Sequence, residues 1–295
     1  MKDKTRDIRD DEIRVIGEET TTRFQGWKWL LLLLAGIAVG CIVWAVLPQK
    51  PKTPVDDPEQ GVFEPSNGVT EQPAVKLPLA HAKETGHAFI EMRDTTINDI
   101  PMRLYLPHQV SMSLHLGAID RNDRSIIFTA QAADIRADNG GIVGAFVLKG
   151  EPKAWGLSKR GYCGIINDSV TVGVADNSPL FEEATEKGGY FFRQFPLVDN
   201  GKLVENEQKG KSVRRALCDR NGEIFTVETL TIESFHDFAQ ALVDLGVDNA
   251  IYLVGANAYG WATDADGVRH EFGDPNPKAT GKWRNINYLV MRAKP

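Results

Sequence analysis

The sequence predicts an α+β domain with a mixed or antiparallel sheet of many short strands and one principal helix at about 233–245, preceded by a transmembrane helix. Three observations carry this. Short apolar runs alternate with two-residue turns rich in Asn, Asp and Gly, which tolerate positive φ and so join hairpins. One stretch alone, from Ile232 to Leu245, repeats its apolar residues at helical spacing. Near the amino terminus, Trp29 to Leu47 runs without a charge and is long enough to span a bilayer.

Residues 1–28 are densely charged with both signs and read as a tail. Trp27, Trp29 and Trp44 flank the apolar run, where indoles favour the interface. Lys and Arg are richer before the run than after it, which places the tail in the cytoplasm and the rest of the chain outside, periplasmic in a bacterial-type envelope. A cleaved signal peptide or a lipoprotein box at Ala38–Cys41 is the weaker reading, because the apolar run continues to Leu47. Residues 48–80 carry seven of the prolines and read as a semi-extended linker. The domain then occupies 81–295.

Within it, strands are expected at 103–106 and 126–129. Hairpins are expected around Lys149-Gly150, Asn167-Asp168, Asp199-Asn200-Gly201 and Asn221-Gly222. A short helix fits 180–187. Ser234 is placed to cap the principal helix and Gly246 to end it. A buried strand from Ala250 to Val254 then opens into the loop Gly255–Trp261, the kind of segment on which a rigid scaffold presents chemistry.

The net charge of −6, with no long basic run, argues against a nucleic-acid partner. No glycine-rich phosphate loop, G-x-S-x-G or H-E-x-x-H motif occurs, and the six histidines lack ligand spacing, so no cofactor or metal is expected. Asp264-Ala265-Asp266-Gly267 fails the calcium-loop pattern at Val268 and Pro275 and reads as a turn. Cys163 and Cys218 fit either a disulfide or two buried thiols; spacing does not decide. Arg214 and Arg215 are adjacent on a strand and point to opposite faces, so one could face a cleft as a phosphate-binding fork while the other is solvated. Glu228, Asp134 and Arg136 are candidate acids, bases or anchors. Trp155, Trp261 and Trp283 could stack on a sugar or serve as packing.

From Phe128 onward the chain resembles the phosphodiester glycosidase family, of the N-acetylglucosamine-1-phosphodiester uncovering-enzyme type. The likeness runs through FTAQAADIRADNGGIVGAFVLKGE, FRQFPLVDNGK, SVRRALCDRNGEIFTVE, TIESFHDFAQALVDLGVDNAIYLVGANAYGW and RNINYLVM. It puts Arg214 at the family's arginine and Asn287 at its asparagine. Val254 stands where the family loop has Asp, Ala256-Asn257-Ala258 replace its glycines and serine, and Gln131-Ala132-Ala133 replaces Asn-Ala-Gly. The resemblance implies a hydrolase of sugar-1-phosphodiester linkages in glycans. Arg214 would hold the phosphate, with Glu228 or Asp134 managing protons. Gln131, Gly255, Asn257, Tyr259, Trp261 and Asn287 would contact the sugar. The altered loop implies as an alternative a non-catalytic relative that binds an envelope glycan or a protein.

Overall fold

The computed structural model describes residues 86–275 and 285–294, all within the compact unit Gly68–Pro295. The predicted tail, membrane span and linker lie outside the described residues. Among the described residues, no helix is long and apolar enough to cross a membrane.

The domain is not α+β. Among the described residues, seventeen strands form three sheets in which every pairing is antiparallel, and only two short helices accompany them. The strands are β1 (Phe89–Ile97), β2 (Ile100–His108), β3 (Val110–Leu116), β4 (Ile126–Gln131), β5 (Ala145–Leu148), β6 (Glu151–Trp155), β7 (Gly161–Ile166), β8 (Ser169–Val174), β9 (Tyr190–Gln194), β10 (Pro196–Asp199), β11 (Lys202–Leu203), β12 (Arg215–Arg220), β13 (Glu223–Thr229), β14 (Asn249–Leu253), β15 (Gly260–Thr263), β16 (Arg269–Phe272) and β17 (Asn287–Ala293). The helices are α1 (Leu180–Glu186) and α2 (Phe235–Asp244). The first sheet runs β1-β2-β13-β12-β14-β10-β11, the second β16-β15-β4-β17-β3, and the third β6-β5-β9-β7-β8.

Turn chemistry explains the hairpin pairs. A parallel pair needs a long crossover, whereas a two-residue turn returns the chain directly beside itself. Five such turns have positive φ at both central residues: Asn98-Asp99, Lys149-Gly150, Asn167-Asp168, Asn200-Gly201 and Asn221-Gly222. Each closes a hairpin, as Ile97 opposite Ile100 and Arg220 opposite Glu223 illustrate. Positive φ at both positions matches the right-handed twist of the flanking strands.

Helix α2 starts one turn later than its apolar repeat suggests. The Ser234 hydroxyl accepts from the Asp237 N–H at 3.0 Å and caps it, which leaves Ile232 outside the helix and exposed. Its buried stripe, Phe235, Phe238, Ala239, Ala241 and Leu242, packs on one face of the first sheet against Met102, Leu104, Ala216, Cys218 and Val227. The opposite face of that sheet, through Leu217, Ile251 and Leu253, meets Phe128, Leu289 and Met291 of the second sheet and Phe146, Cys163 and Phe192 of the third. Strand β12 therefore buries alternate residues into two separate cores, as period-two geometry requires.

This division settles the cysteines. Cys163 and Cys218 are free, buried, and belong to different cores. Burial pushes both thiols well above the ordinary thiol range, and it is the thiolate that reacts. Neither should label with Ellman's reagent in the native domain, and both should label after denaturation. Native labelling at either position would show that its strand opens.

Candidate functional site

The three sheets converge on one short segment, residues 131–134, where the chain leaves β4. The first sheet reaches it through β14: the Val254 N–H donates to the Gln131 carbonyl at 3.0 Å. The second reaches it through β17. The fully buried Asn287 accepts the Ala133 N–H on Oδ1 at 2.7 Å and donates from Nδ2 to the Ala133 carbonyl at 3.2 Å. The third reaches it through β9, where Gln194 Nε2 donates to the Ala132 carbonyl at 3.4 Å and to Asp134 Oδ2 at 3.3 Å. An amide side chain can present an acceptor to the N–H and a donor to the C=O of one residue, so Asn287 holds this irregular segment as a strand neighbour would. Gln131 is buried and turns its own amide onto the Ala133 carbonyl at 3.3 Å.

Asp134 closes the segment. Its side chain is 35 % exposed, and Oδ2 accepts from the ammonium of Lys159, whose side chain is 4 % exposed. The same ammonium donates to Gln194 Oε1 at 2.5 Å and lies 4.3 Å from the centroid of the Phe195 ring. Desolvation pulls Lys159 below its ordinary value, and the Asp134 charge pulls it partly back. A carboxylate open to solvent, backed by a buried cation and an amide, can accept or return a proton while its orientation stays fixed.

A second buried pair lies under the loop that follows β14. Arg215 Nε donates to Glu228 Oε2 at 2.5 Å, across the β12–β13 register that sets the two residues opposite each other. Arg215 Nη1 donates to the carbonyls of Val254 at 3.1 Å and Ala258 at 2.9 Å, and the guanidinium lies 4.2 Å from the Phe272 ring centroid. Arg215 thus clamps the loop at both ends and Glu228 neutralises it.

Arg214 points the other way. Its Nε donates to the Glu233 carbonyl at 2.8 Å and its Nη2 to the Gly210 carbonyl at 2.7 Å, over the Phe235 ring. It ties the strand entry to the start of α2. Tyr259 and Trp261 are buried with Ile126, Tyr288 and Val290, and the Trp261 indole donates to the Ile126 carbonyl at 3.2 Å; with no exposed face, neither ring offers a stacking platform. Asn257 is exposed at the loop tip. Gly255 fits because a Cβ there would lie 2.1 Å from the Val213 carbonyl oxygen.

The structure therefore gathers Gln131, Asp134, Asn287 and the start of the loop at Gly255 around one junction. It sets Arg215 and Glu228 beneath the loop and Arg214 apart from it. Lys159 and Gln194 are the members that sequence reasoning missed; of the two adjacent arginines it is Arg215 that reaches the loop, and both are buried, so neither is solvated. One signal was present for Gln194: Arg193-Gln194 interrupts the otherwise apolar run from Tyr190 to Val198, and polar residues inside a buried strand are there for a partner.

Ala256 has φ 50°, a left-handed conformation that disfavours a Cβ, and its N–H is held by the Val213 carbonyl at 2.9 Å. Ala256→Gly should relieve this strain. After the flexibility that glycine adds to the unfolded chain, the expected net gain is roughly 0.5–1 kcal/mol, a rise of about 1–4 °C in Tm. Thermal denaturation checks it, and a fall in Tm would mean that the loop relaxes differently from the geometry above.

A three-sheet antiparallel β domain with a polar junction between its sheets is the class this chain defines. No family model and no curated protein matches the sequence. Among solved structures, the fold is similar to the catalytic domain of zebrafish N-acetylglucosamine-1-phosphodiester alpha-N-acetylglucosaminidase, auto-inhibited by its pro-peptide. Identity is 15%, coverage is 73% of this chain and 86% of that one, and the TM-score is 0.51. It is also similar to a hypothetical protein from Synechocystis, at 13% identity and TM-score 0.52, with 71% of this chain covering 63% of that one. At these identities the likeness to both structures is one of fold alone.

Proposed function

We propose that this chain is a hydrolase of sugar-1-phosphodiester linkages of the N-acetylglucosamine type, held outside the cytoplasm by the apolar segment 29–47. The observation that carries the reading is the half-exposed Asp134 carboxylate on the buried Lys159 and Gln194, at the junction of the three sheets. The likeness of fold and the sequence resemblance of the same segments support the substrate class. In the proposed step Asp134 takes a proton from water, whose oxygen bonds to the anomeric carbon. The bond from that carbon to the phosphate oxygen breaks, and the phosphomonoester leaves with the bonding pair. Lys159 offsets the charge on Asp134, while Asn257 and the loop from Gly255 flank the sugar. Because Arg214 already donates to two carbonyls, the phosphate-binding role passes from it to donors around the junction.

One observation favours the second reading, a non-catalytic glycan-binding relative. The loop from Val254 to Ala258 carries no carboxylate or hydroxyl. The test is to supply the full-length chain, in mild detergent, with N-acetylglucosamine-1-phosphodiesters and measure free N-acetylglucosamine. Turnover that disappears in Asp134→Asn supports the hydrolase, and binding without turnover supports the second reading. Neither binding nor turnover overturns both. For the anchor, a reporter fused after Lys52 should be active only outside the cytoplasm.

A further inference from the structure

Strand β9 presents Gln194 to the junction, and the preceding residue, Arg193, points to the opposite face of the third sheet. There a cavity of about 410 Å³ is lined by Trp155, Leu157, Asn177, Phe181, Glu182 and Arg193. The size lies in the range of small-molecule sites. Two features of its lining call for a ligand.

The first is the wall. Trp155, the last residue of β6, is 68 % exposed, and Leu157 beside it is 64 % exposed. A large indole left in water at the mouth of a cavity gains by stacking on an apolar face. The second is Arg193 itself. It is 2 % exposed, and three of its N–H groups are satisfied by backbone carbonyls: Lys159 and Ala175 from Nη1 at 2.8 and 2.9 Å, and Asp176 from Nη2 at 2.8 Å. Among the described residues it makes no ion pair. Asp176, whose carbonyl it binds, turns its own side chain outward onto Arg160 at 2.8 Å. Burial accordingly pulls the guanidinium below its ordinary value. A buried charge is ordinarily matched by an opposite charge; among the described residues Asp176 is the only carboxylate that acts on this one, without an ion pair and committed to Arg160.

We propose that this cavity binds a monosaccharide unit bearing an anionic group, a carboxylate or a phosphate, with the pyranose face on Trp155 and the anion directed toward Arg193. A pyranose has the apolar face the indole needs. The amide of Asn177 and the carboxylate of Glu182 match its hydroxyls, and Glu182 stands at the exposed rim, where water screens its charge. A neutral sugar would leave Arg193 uncompensated, and an inorganic anion would leave Trp155 in water. Arg193 touches Lys159 through its carbonyl, whereas the Lys159 ammonium turns to Asp134; the site therefore does not rest on the catalytic reading and would hold a second part of a glycan or an acidic sugar of its own.

The test is titration calorimetry on the full-length chain with glucuronate, glucose 6-phosphate, glucose and inorganic phosphate. Glucuronate or glucose 6-phosphate should bind at least about tenfold more tightly than glucose or inorganic phosphate, and the tighter of the two identifies the anion. Trp155→Ala, a change at an exposed position, should weaken that binding by about tenfold. Asp134→Asn should leave it unchanged, which separates this site from the junction. Equal affinity for glucose, no binding of either acidic sugar at millimolar concentration, unchanged affinity in Trp155→Ala, or loss in Asp134→Asn would each overturn the proposal.

Discussion

Arg215→Met should destabilise the domain by about 3–5 kcal/mol, the usual cost of removing one partner from a buried ion pair. The Arg215 side chain is 3 % exposed and that of Glu228 11 %, so the carboxylate left behind would be stranded with little water. The variant also leaves the Val254 and Ala258 carbonyls without the guanidinium that joins them. Urea denaturation measures the loss. The companion Glu228→Gln should cost less, because an amide oxygen can still accept from Arg215 Nε. The double variant Arg215→Met/Glu228→Leu should recover part of the loss, since neither charge is then stranded. A single variant within about 1 kcal/mol of wild type would mean that water reaches Glu228, and the loop clamp would then be a minor element.

The same pair marks the limit of what the chain reveals before it folds. Four of the five hairpins, all but that at Asn98-Asp99, were legible because their turns are local: Asn221-Gly222 specifies positive φ without reference to anything distant. The helix was legible from its period, with Ile232 miscounted because capping by Ser234, not apolarity, sets where it begins. The class was misjudged because a single well-signalled helix invites an α+β reading. The decisive fact, that every strand pairs antiparallel across three sheets, is a property of long-range pairing. For adjacent arginines on one strand, the sequence says that they face opposite ways but not which face meets the junction; a one-residue shift in register exchanges them. Pairing of Arg215 with Glu228 and Leu253 decides it. Trp261 was ambiguous for a similar reason, since a buried indole and a stacking platform have the same letter. Asp134 was visible as a carboxylate after an apolar strand. Its partners Lys159 and Gln194 are 25 and 60 positions further along the chain, and no local pattern joins them.

Asp134→Asn should lower kcat on a sugar-1-phosphodiester by roughly 10²–10⁴-fold, the span a positioned proton carrier contributes, with KM changed much less. The substitution keeps the shape and one acceptor oxygen but removes the basicity. The fold should tolerate it, because Lys159 is already displaced toward its neutral form by burial and can shed the charge that Asp134 no longer balances. The state of Lys159 can be read separately from activity. A lysine whose folded value lies below its ordinary 10.5 binds fewer protons folded than unfolded between those two values. Stability must then rise with pH across that window. Compared with Lys159→Met, which has no such proton, the wild type should gain stability as the pH rises toward 10.5, measured as the difference between the two urea midpoints. A pH-independent difference would show that Asp134 fully compensates the burial of the ammonium. Lys159→Met should also lower turnover by leaving Asp134 without the cation and hydrogen bond that orient it. Loss of activity in Asp134→Asn with Lys159→Met at wild-type rate would restrict the proton-handling role to the carboxylate and reduce the lysine to a packing element beneath it.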